Sequence, residues 1–581
     1  MKNIIYFFLA IILCFNNGIS AQALYENLPK PTPTQLSWQD MELTMFIHFG
    51  PATWQDQEYD DLSTPLSKIN PSKLNTDQWA NVAKSYGAKM IIFSAKHTGG
   101  FAWWQTETTN YGIKETPWKN GKGDLLKDLA TSCKKNGLKL GIYLSPEDRY
   151  LGAGMGGKIA DPIKQEQYEK IYRKQLTELL TQYGDISEVW VDGSLVFNIG
   201  DLLKKYAPNA VILQSSSATI RWVGNELGFA PYPAWNSVKY ADAKSGNSTA
   251  SHSSVNGDVW LPIESDVSIR RPNWFWKTWN EDNLLTIDEL MKIYYSSVGR
   301  GTVLLLNACP DTTGLIAKAE AKRFAEFGNE INRRFSKPLN ETRGTGDSLI
   351  LKMKNQEKVD HIILMEDISQ GERIRNFIIE GRHATEKDTL FKGSAIGHKL
   401  IIQIPSDKQY DAFCLKVNKS IGEPLIRKMS VYNVGSPYID IPKIKDNWNL
   451  RHVSSYDIMN DKSHILSLDV DITEFCNSAE EYELAYVLNK GENSEPGFAY
   501  DWANTGKWED NIKQEDRLVI KTVDLIFAGV ESNHYLHNNN GLSDRVVFNV
   551  TGIPNSLIIK TNILIPTGIS GSKLDIYLLK K

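Results

Sequence analysis

The chain has 581 residues, 41 % of them hydrophobic and 23 % charged, a balance that excludes intrinsic disorder. Its formal charge of −4 leaves no basic footprint for nucleic acid. The cysteines lack metal-ligand spacing, and there is no His-Glu-x-x-His, phosphate loop or dinucleotide fingerprint, so no cofactor is expected.

The N-terminus reads as a secretory signal over residues 1–23. Lys2 precedes the apolar run Ile4 to Leu13, and the small residues Ser20 and Ala21 lead to a cleavage point near Ala21 or Ala23. The run is too short for a stable membrane anchor, and Leu13 before Cys14 does not fit a lipoprotein signal. No later segment is long and apolar enough to cross a bilayer. The expected product is exported, periplasmic or extracellular, without membrane insertion. Cys133, Cys309, Cys414 and Cys476 remain, either as buried thiols or in one or two disulfides.

Strand and helix signals then alternate. "MFIHFG" (Met45 to Gly50) predicts a strand and "TDQWANVAKSYG" (Thr76 to Gly87) a helix stopped by glycine. "AKMIIFSAKH" (Ala88 to His97) is a second strand, followed by a helix over Gly123 to Gly137 and a third strand from Leu138 to Arg149. A long amphipathic helix from Gln165 to Tyr183 leads into "SEVWVDG", a buried strand that ends on Asp192. This β-α alternation implies a parallel sheet wrapped by helices, and its extent suits an eight-stranded β/α (TIM) barrel over residues 24–336; an open doubly wound sheet is the alternative. Thirteen of the 16 tryptophans lie at or before Trp279, within this part. After a helix around Ala317 to Arg334, short β-branched and aromatic runs at close spacing predict an antiparallel sandwich over residues 337–435. Strand signals continue through 436–581, a C-terminal β-rich domain whose motifs carry no functional message.

In a β/α barrel the chemistry sits where strands end. The first expected strand end carries His48, with Glu58 and Tyr59 in its loop; the second carries Lys96 and His97, the third Tyr143 and Asp148, the fourth Asp192. Asp-Gly alone is common turn punctuation, and a single polar strand end is unremarkable; four in one fold point to a site. Trp54, Trp103, Trp104, Trp222 and Trp235 lie in the intervening loops, where they either fill the core or offer aromatic faces to sugar rings. Carboxylates, histidines and aromatics without a metal motif suggest glycoside hydrolysis, which needs two carboxyls about the scissile bond. Asp192 is one candidate. For the second, "RWVGNELG" offers Glu226 and "WLPIESDVSIR" offers Glu264 and Asp266, and the residues alone do not choose.

The stretches "MFIHFG", "NPSKLNTDQWANVAKSYGAKMIIFSAKH", "GIYLSPEDR", "EVWVDGS", "RWVGNE", "WLPIESDVSIR", "SVGRGTVLLLN" and "VDHIILMEDISQGERIRNF" together resemble the α-L-fucosidases of glycoside hydrolase family 29, over about residues 40–435. The resemblance implies Asp192 as nucleophile and Glu226 as acid/base, with Glu264 in reserve. It implies a fucose pocket lined by His48, Glu58, Tyr59, His97, Tyr143, Trp190 and Trp222. The implied activity is release of α1,3- or α1,4-linked L-fucose from fucosylated oligosaccharides or glycoconjugates with retention of configuration. Alternatives are another α-L-sugar such as L-galactose, or a catalytically silent glycan-binding protein. Two positions depart from the family pattern: Thr98 stands where a second histidine is usual, and Glu147 where an aromatic residue is usual. Both suggest altered sugar or leaving-group preference.

Overall fold

The computed structural model describes residues 28–439 except 194, 272, 279–282 and 405–407. It also describes Ile441 and residues 451–459, 462–473, 481–489, 519–526, 530–535, 543–550, 557–565 and 573–580. The expected signal at 1–23 lies outside the described residues, as does Cys476; Cys133, Cys309 and Cys414 are buried free thiols.

Eight strands form one parallel sheet. They are β1 (Leu43–Ile47), β2 (Met90–Lys96), β3 (Lys139–Leu144), β4 (Ile186–Trp190), β5 (Val211–Leu213), β6 (Arg221–Trp222), β7 (Ile263–Ser268) and β8 (Val303–Ala308). Their order around the sheet is β5-β4-β3-β2-β1-β8-β7-β6. A parallel bridge between Leu213 and Ile220 joins the two ends, so the sheet closes as a barrel rather than opening into a doubly wound layer. Both faces of such a sheet are covered, which is why β1 and β2 are apolar runs buried along their whole length.

The helices begin and end where the sequence dictates. Asn75 caps α1 (Thr76–Ser85) through the amides of Asp77 and Gln78. Asp124 accepts from the Lys127 amide to cap α2 (Leu125–Asn136), and Gly137 stops it in the left-handed region at φ +67°. Asp161 with Pro162 in the first turn starts α3 (Pro162–Gln182). Thr286 and Glu289 form a reciprocal cap on α4 (Ile287–Ser296), and α5 (Lys318–Phe335) closes the barrel segment. Regular alternation fails around β5 and β6, which are short and follow one another without a helix. The loop from β6 to β7 instead folds into a small hairpin, Ser237–Val238 against Val259–Trp260.

Behind the barrel stands an antiparallel sandwich of two four-stranded sheets within residues 340–432. Its core includes Leu351, Ile362, Phe377, Phe413, Met429 and Val431. It belongs to the same compact unit as the barrel, which extends to Ile441. Glu372 of the sandwich accepts from both the amide (3.0 Å) and the side-chain nitrogen (2.7 Å) of Asn236 in the β6–β7 loop. Tyr232 donates to the Ala395 carbonyl at 2.9 Å. The second unit, Pro442–Lys581, pairs a five-stranded and a three-stranded antiparallel sheet over a core that includes Leu468, Leu484, Phe548, Ile563 and Ile576.

Candidate active site

Parallel strands present all their C-terminal ends at one mouth of the barrel. His48 follows β1, His97 follows β2, Tyr143 lies near the end of β3, Asp192 lies beyond β4, and Glu226 follows β6. The Tyr143 hydroxyl donates to Asp192 Oδ2 at 2.8 Å, and among the described residues Oδ1 has no partner. The Asp192 carboxylate faces solvent, yet protein crowds it from every other side. That crowding raises its pKa, the Tyr143 hydroxyl lowers it, and the charge of Glu147 raises it.

Glu226 has the opposite character. It is half-buried, and burial lifts its pKa to about 7 against a hydrogen bond from the Trp274 side chain and the charge of Arg271; Glu58 and Asp192 add to the rise. The two carboxyls therefore feel one another across the pocket. Arg271 Nε also donates to the Glu226 carbonyl at 3.0 Å, pinning the loop that carries it.

An aromatic column runs from the barrel interior to its rim. Trp190 stacks on Tyr143 (5.3 Å between centroids), Tyr143 on His97 (5.6 Å) and His97 on Tyr59 (6.1 Å). His48 meets His97 edge-on at 5.5 Å. Its Nδ1 lies 2.9 Å from Asn307 Oδ1, whose amide nitrogen is committed to the Trp274 carbonyl at 2.9 Å. An amide oxygen only accepts, so the network assigns the His48 proton to Nδ1 and leaves Nε2 an acceptor. Burial holds the pKa of His48 down to about 4 and that of His97 well below the usual range, so both rings are neutral near pH 7.

Glu58 works from behind the pocket. It pairs with Lys277 Nζ at 3.0 Å and accepts from the Trp274 and Phe275 amides, fixing the loop that brings Trp274 to Glu226. Trp222 is half-buried on β6 and donates to Asp266 Oδ1 at 2.5 Å; burial and then the Glu226 charge push the Asp266 pKa well above the usual carboxylate range. Glu264 does not reach the pocket. It is fully buried on β7, accepts from Trp190 Nε1 at 2.9 Å and shares a hydrogen bond with Glu188, itself capped by Trp38 Nε1 at 2.8 Å. Burial first, and then the Glu188 charge, push the Glu264 pKa well above the usual carboxyl range.

Other strand-end and loop residues are structural. Lys96 and Asp148 form a fully buried pair at 3.0 Å, with Lys96 also donating to Tyr168 at 3.3 Å. Trp103 and Trp104 are core residues whose indoles donate to the Phe49 carbonyl and to Glu178. Trp54 packs on the barrel core, and Trp235 lies under the Arg375 guanidinium at 4.8 Å. After His97, Gly99 is required because a Cβ there would lie 2.1 Å from Asp60 Oδ2, which Tyr111 holds at 2.8 Å. Thr98 is buried, its hydroxyl 3.3 Å from His97 Nδ1.

Trp274, Phe275 and Asn307 were not singled out from the sequence. Asn307 had a signal, a lone amide inside "VLLLNA"; the tryptophans of "RRPNWFW" had one too, a cluster in a loop after a barrel strand. Among the described residues no three His, Cys, Asp or Glu side chains are grouped as a metal site, and no helix is long and apolar enough to cross a membrane.

A profile of the alpha-L-fucosidase family matches residues 38–334. Alpha-L-fucosidase 1 of Arabidopsis thaliana is 33 % identical over 454 residues, covering 70 % of this chain and 88 % of the plant protein. A putative alpha-L-fucosidase from Bacteroides thetaiotaomicron, known by crystal structure, is 34 % identical with a TM-score of 0.66, over 70 % of this chain and 99 % of that one. A glycoside hydrolase 29 family member from an unknown rumen bacterium covers 95 % of this chain and 100 % of its own at 28 % identity and a TM-score of 0.63. A Ruminococcus gnavus fucosidase of that family, solved in complex with fucose, is 25 % identical with a TM-score of 0.62, over 70 % of this chain and 95 % of its own.

Proposed function

The chain belongs to the alpha-L-fucosidase family of glycoside hydrolases, and from that premise we propose a retaining double displacement with Asp192 as nucleophile and Glu226 as acid and base. The substrate is a terminal α-linked L-fucose on an oligosaccharide or glycoconjugate. The observation that carries the assignment is the contrast between two carboxyls in one pocket. Glu226, at about 7, keeps a proton near neutral pH, while Asp192 is solvent-facing and receives a hydroxyl donor on one oxygen, leaving the other open.

In the first step Asp192 Oδ1 attacks the anomeric carbon as its bond to the leaving oxygen breaks, and Glu226 gives that oxygen its proton. In the second, Glu226 takes a proton from water, the water oxygen attacks the anomeric carbon, and the ester to Asp192 is released. Neutral His48 and His97 accept from and orient sugar hydroxyls. Export, from the N-terminal pattern, and preference for α1,3 and α1,4 linkages, from the "RWVGNE" motif, are part of the same reading.

Azide separates the two roles. With an aryl α-L-fucoside, Asp192→Gly is expected to be inactive and rescued by azide to the β-fucosyl azide, through one inversion. Glu226→Ala is expected to form the ester with a good leaving group and to be rescued to the α-fucosyl azide, through two. Rescue of Glu226→Ala to the β product would overturn the double displacement; wild-type behaviour of that variant on glycans would remove Glu226 from the acid/base role. No turnover by the wild-type protein, with fucosylated glycans still bound, favours a silent binder. A second sugar reading, α-L-galactoside, is supported by Thr98, whose small side chain replaces an imidazole beside His97; comparing kcat/KM for the two aryl glycosides decides between them.

A further inference from the structure

At the pocket mouth the loop after β3 carries Glu147, Asp148, Arg149 and Tyr150. Asp148 turns inward to Lys96. Its two neighbours stay at the surface, with side chains 26 % and 39 % exposed, and form a pair, Arg149 Nε donating to Glu147 Oε1 at 3.1 Å. Arg149 Nη1 donates to the Asp60 carbonyl at 3.1 Å, and the guanidinium lies over the Tyr59 ring at 5.3 Å. The backbone is equally fixed: the Arg149 amide donates to the Thr98 carbonyl at 2.9 Å and the Tyr150 amide to the Gly99 carbonyl at 3.2 Å. Among the described residues, Glu147 Oε2 and Arg149 Nη2 have no hydrogen-bond partner.

The pair therefore presents one unused acceptor and one unused donor, held side by side next to Tyr59, a residue 46 % exposed. It also lies within electrostatic reach of Asp192. Two adjacent sugar hydroxyls match that arrangement, one donating to the carboxylate and the other accepting from the guanidinium, each bond strengthened by charge. Depth decides which sugar. Tyr143 and His97 form the inner part of the aromatic column, Tyr59 is its outer end, and Arg149 lies over Tyr59. In an enzyme that takes a chain end into a pocket, the group at the mouth is the leaving group. We propose that Glu147 and Arg149, with Tyr59, form a leaving-group subsite that reads a vicinal diol on the sugar to which the fucose is attached.

This rests on the proposed fucosidase reading, and the test keeps the two apart. Glu147→Gln and Arg149→Met are assayed on an aryl α-L-fucoside, whose leaving group has no diol, and on a fucosyl disaccharide with free vicinal hydroxyls on its second sugar. Rates are taken at each variant's plateau pH, because losing the Glu147 charge also lowers the Asp192 pKa. The expected result is a fall in kcat/KM on the disaccharide at least about tenfold larger than on the aryl substrate, the loss of one charge-assisted hydrogen bond. Methylating the two hydroxyls should abolish that difference. Equal falls on both substrates, or a difference that survives methylation, would overturn the subsite. If the wild-type protein hydrolyses neither substrate, the fucosidase reading falls, and calorimetry with the disaccharide decides the subsite. Weaker binding to Glu147→Gln then supports it, and unchanged binding refutes it.

Discussion

Replacing Tyr143 by phenylalanine removes one hydroxyl and leaves the ring between Trp190 and His97. That hydroxyl is a hydrogen-bond donor to Asp192 at 2.8 Å. Because it stabilises the ionised carboxylate, its loss moves the Asp192 pKa further up, in the direction that crowding and the Glu147 charge already push it. A hydrogen bond to a charged group contributes about 1.5–3 kcal/mol, and Asp192 faces water, which competes for the bond and puts the effect at the lower end. At about 1.4 kcal/mol per pKa unit, the expected shift is about one unit upward. The acid limb of kcat/KM for an aryl α-L-fucoside, which reports the free enzyme, should move by that amount. The alkaline limb, set by Glu226 at about 7, should stay where it is. The bell narrows and its peak falls. A lowered rate with an unmoved acid limb would refute the reasoning and make Tyr143 a contact to the sugar instead.

Lys96→Met should destabilise the barrel by about 3–5 kcal/mol in urea unfolding, because it strands Asp148 without its partner in a dry interior; a loss below about 1 kcal/mol would show that water reaches the pair. Glu366 of the sandwich is buried and its pKa is pushed up to about 8 from an ordinary 4.5, so wild-type stability is full below about pH 4.5 and declines as pH rises through about 8. Glu366→Gln, a mimic of the protonated form, should match the wild-type Tm at pH 4 and exceed it at pH 9 by an amount worth about 5 kcal/mol; a pH-independent difference would contradict this. Thr98→His should raise the ratio of kcat/KM for aryl α-L-fucoside over aryl α-L-galactoside about tenfold, and an unchanged ratio would remove position 98 from sugar choice.

The alternation of strand and helix was legible because each element carries its own signals, such as the apolar run of β2 and the Asp124 and Gly137 that bracket α2. Strand ends pointed to His48, His97, Tyr143 and Asp192 for the same reason: on a parallel barrel, being last on a strand fixes which mouth a residue faces. What local pattern does not hold is direction of turn. Lys96 and His97 are adjacent in sequence, yet one points into the wall to Asp148 and the other into the pocket. The Trp274 contact to Glu226 depends on Glu58, more than 200 residues earlier, tying down the loop amides. The proposed choice of Glu226 over Glu264 comes from resemblance, and local pattern does not show that β7 buries Glu264, with Trp190 Nε1 donating to it.

The bond from Glu372 to Asn236 has a practical side. Arg221 directs its guanidinium to the carbonyls of Leu261, Trp235 and Asn236, so the long loop that begins at the segment carrying Glu226 is gathered around one buried cation. Glu372 holds the far side of that gathering from another layer. A stop codon placed after Phe335, where the barrel formally ends, would therefore remove Glu372 and its hold on the loop at Asn236. The compact unit that holds both partners runs to Ile441, and recombination that exchanges sandwiches between relatives has to carry the Asn236 and Glu372 positions together.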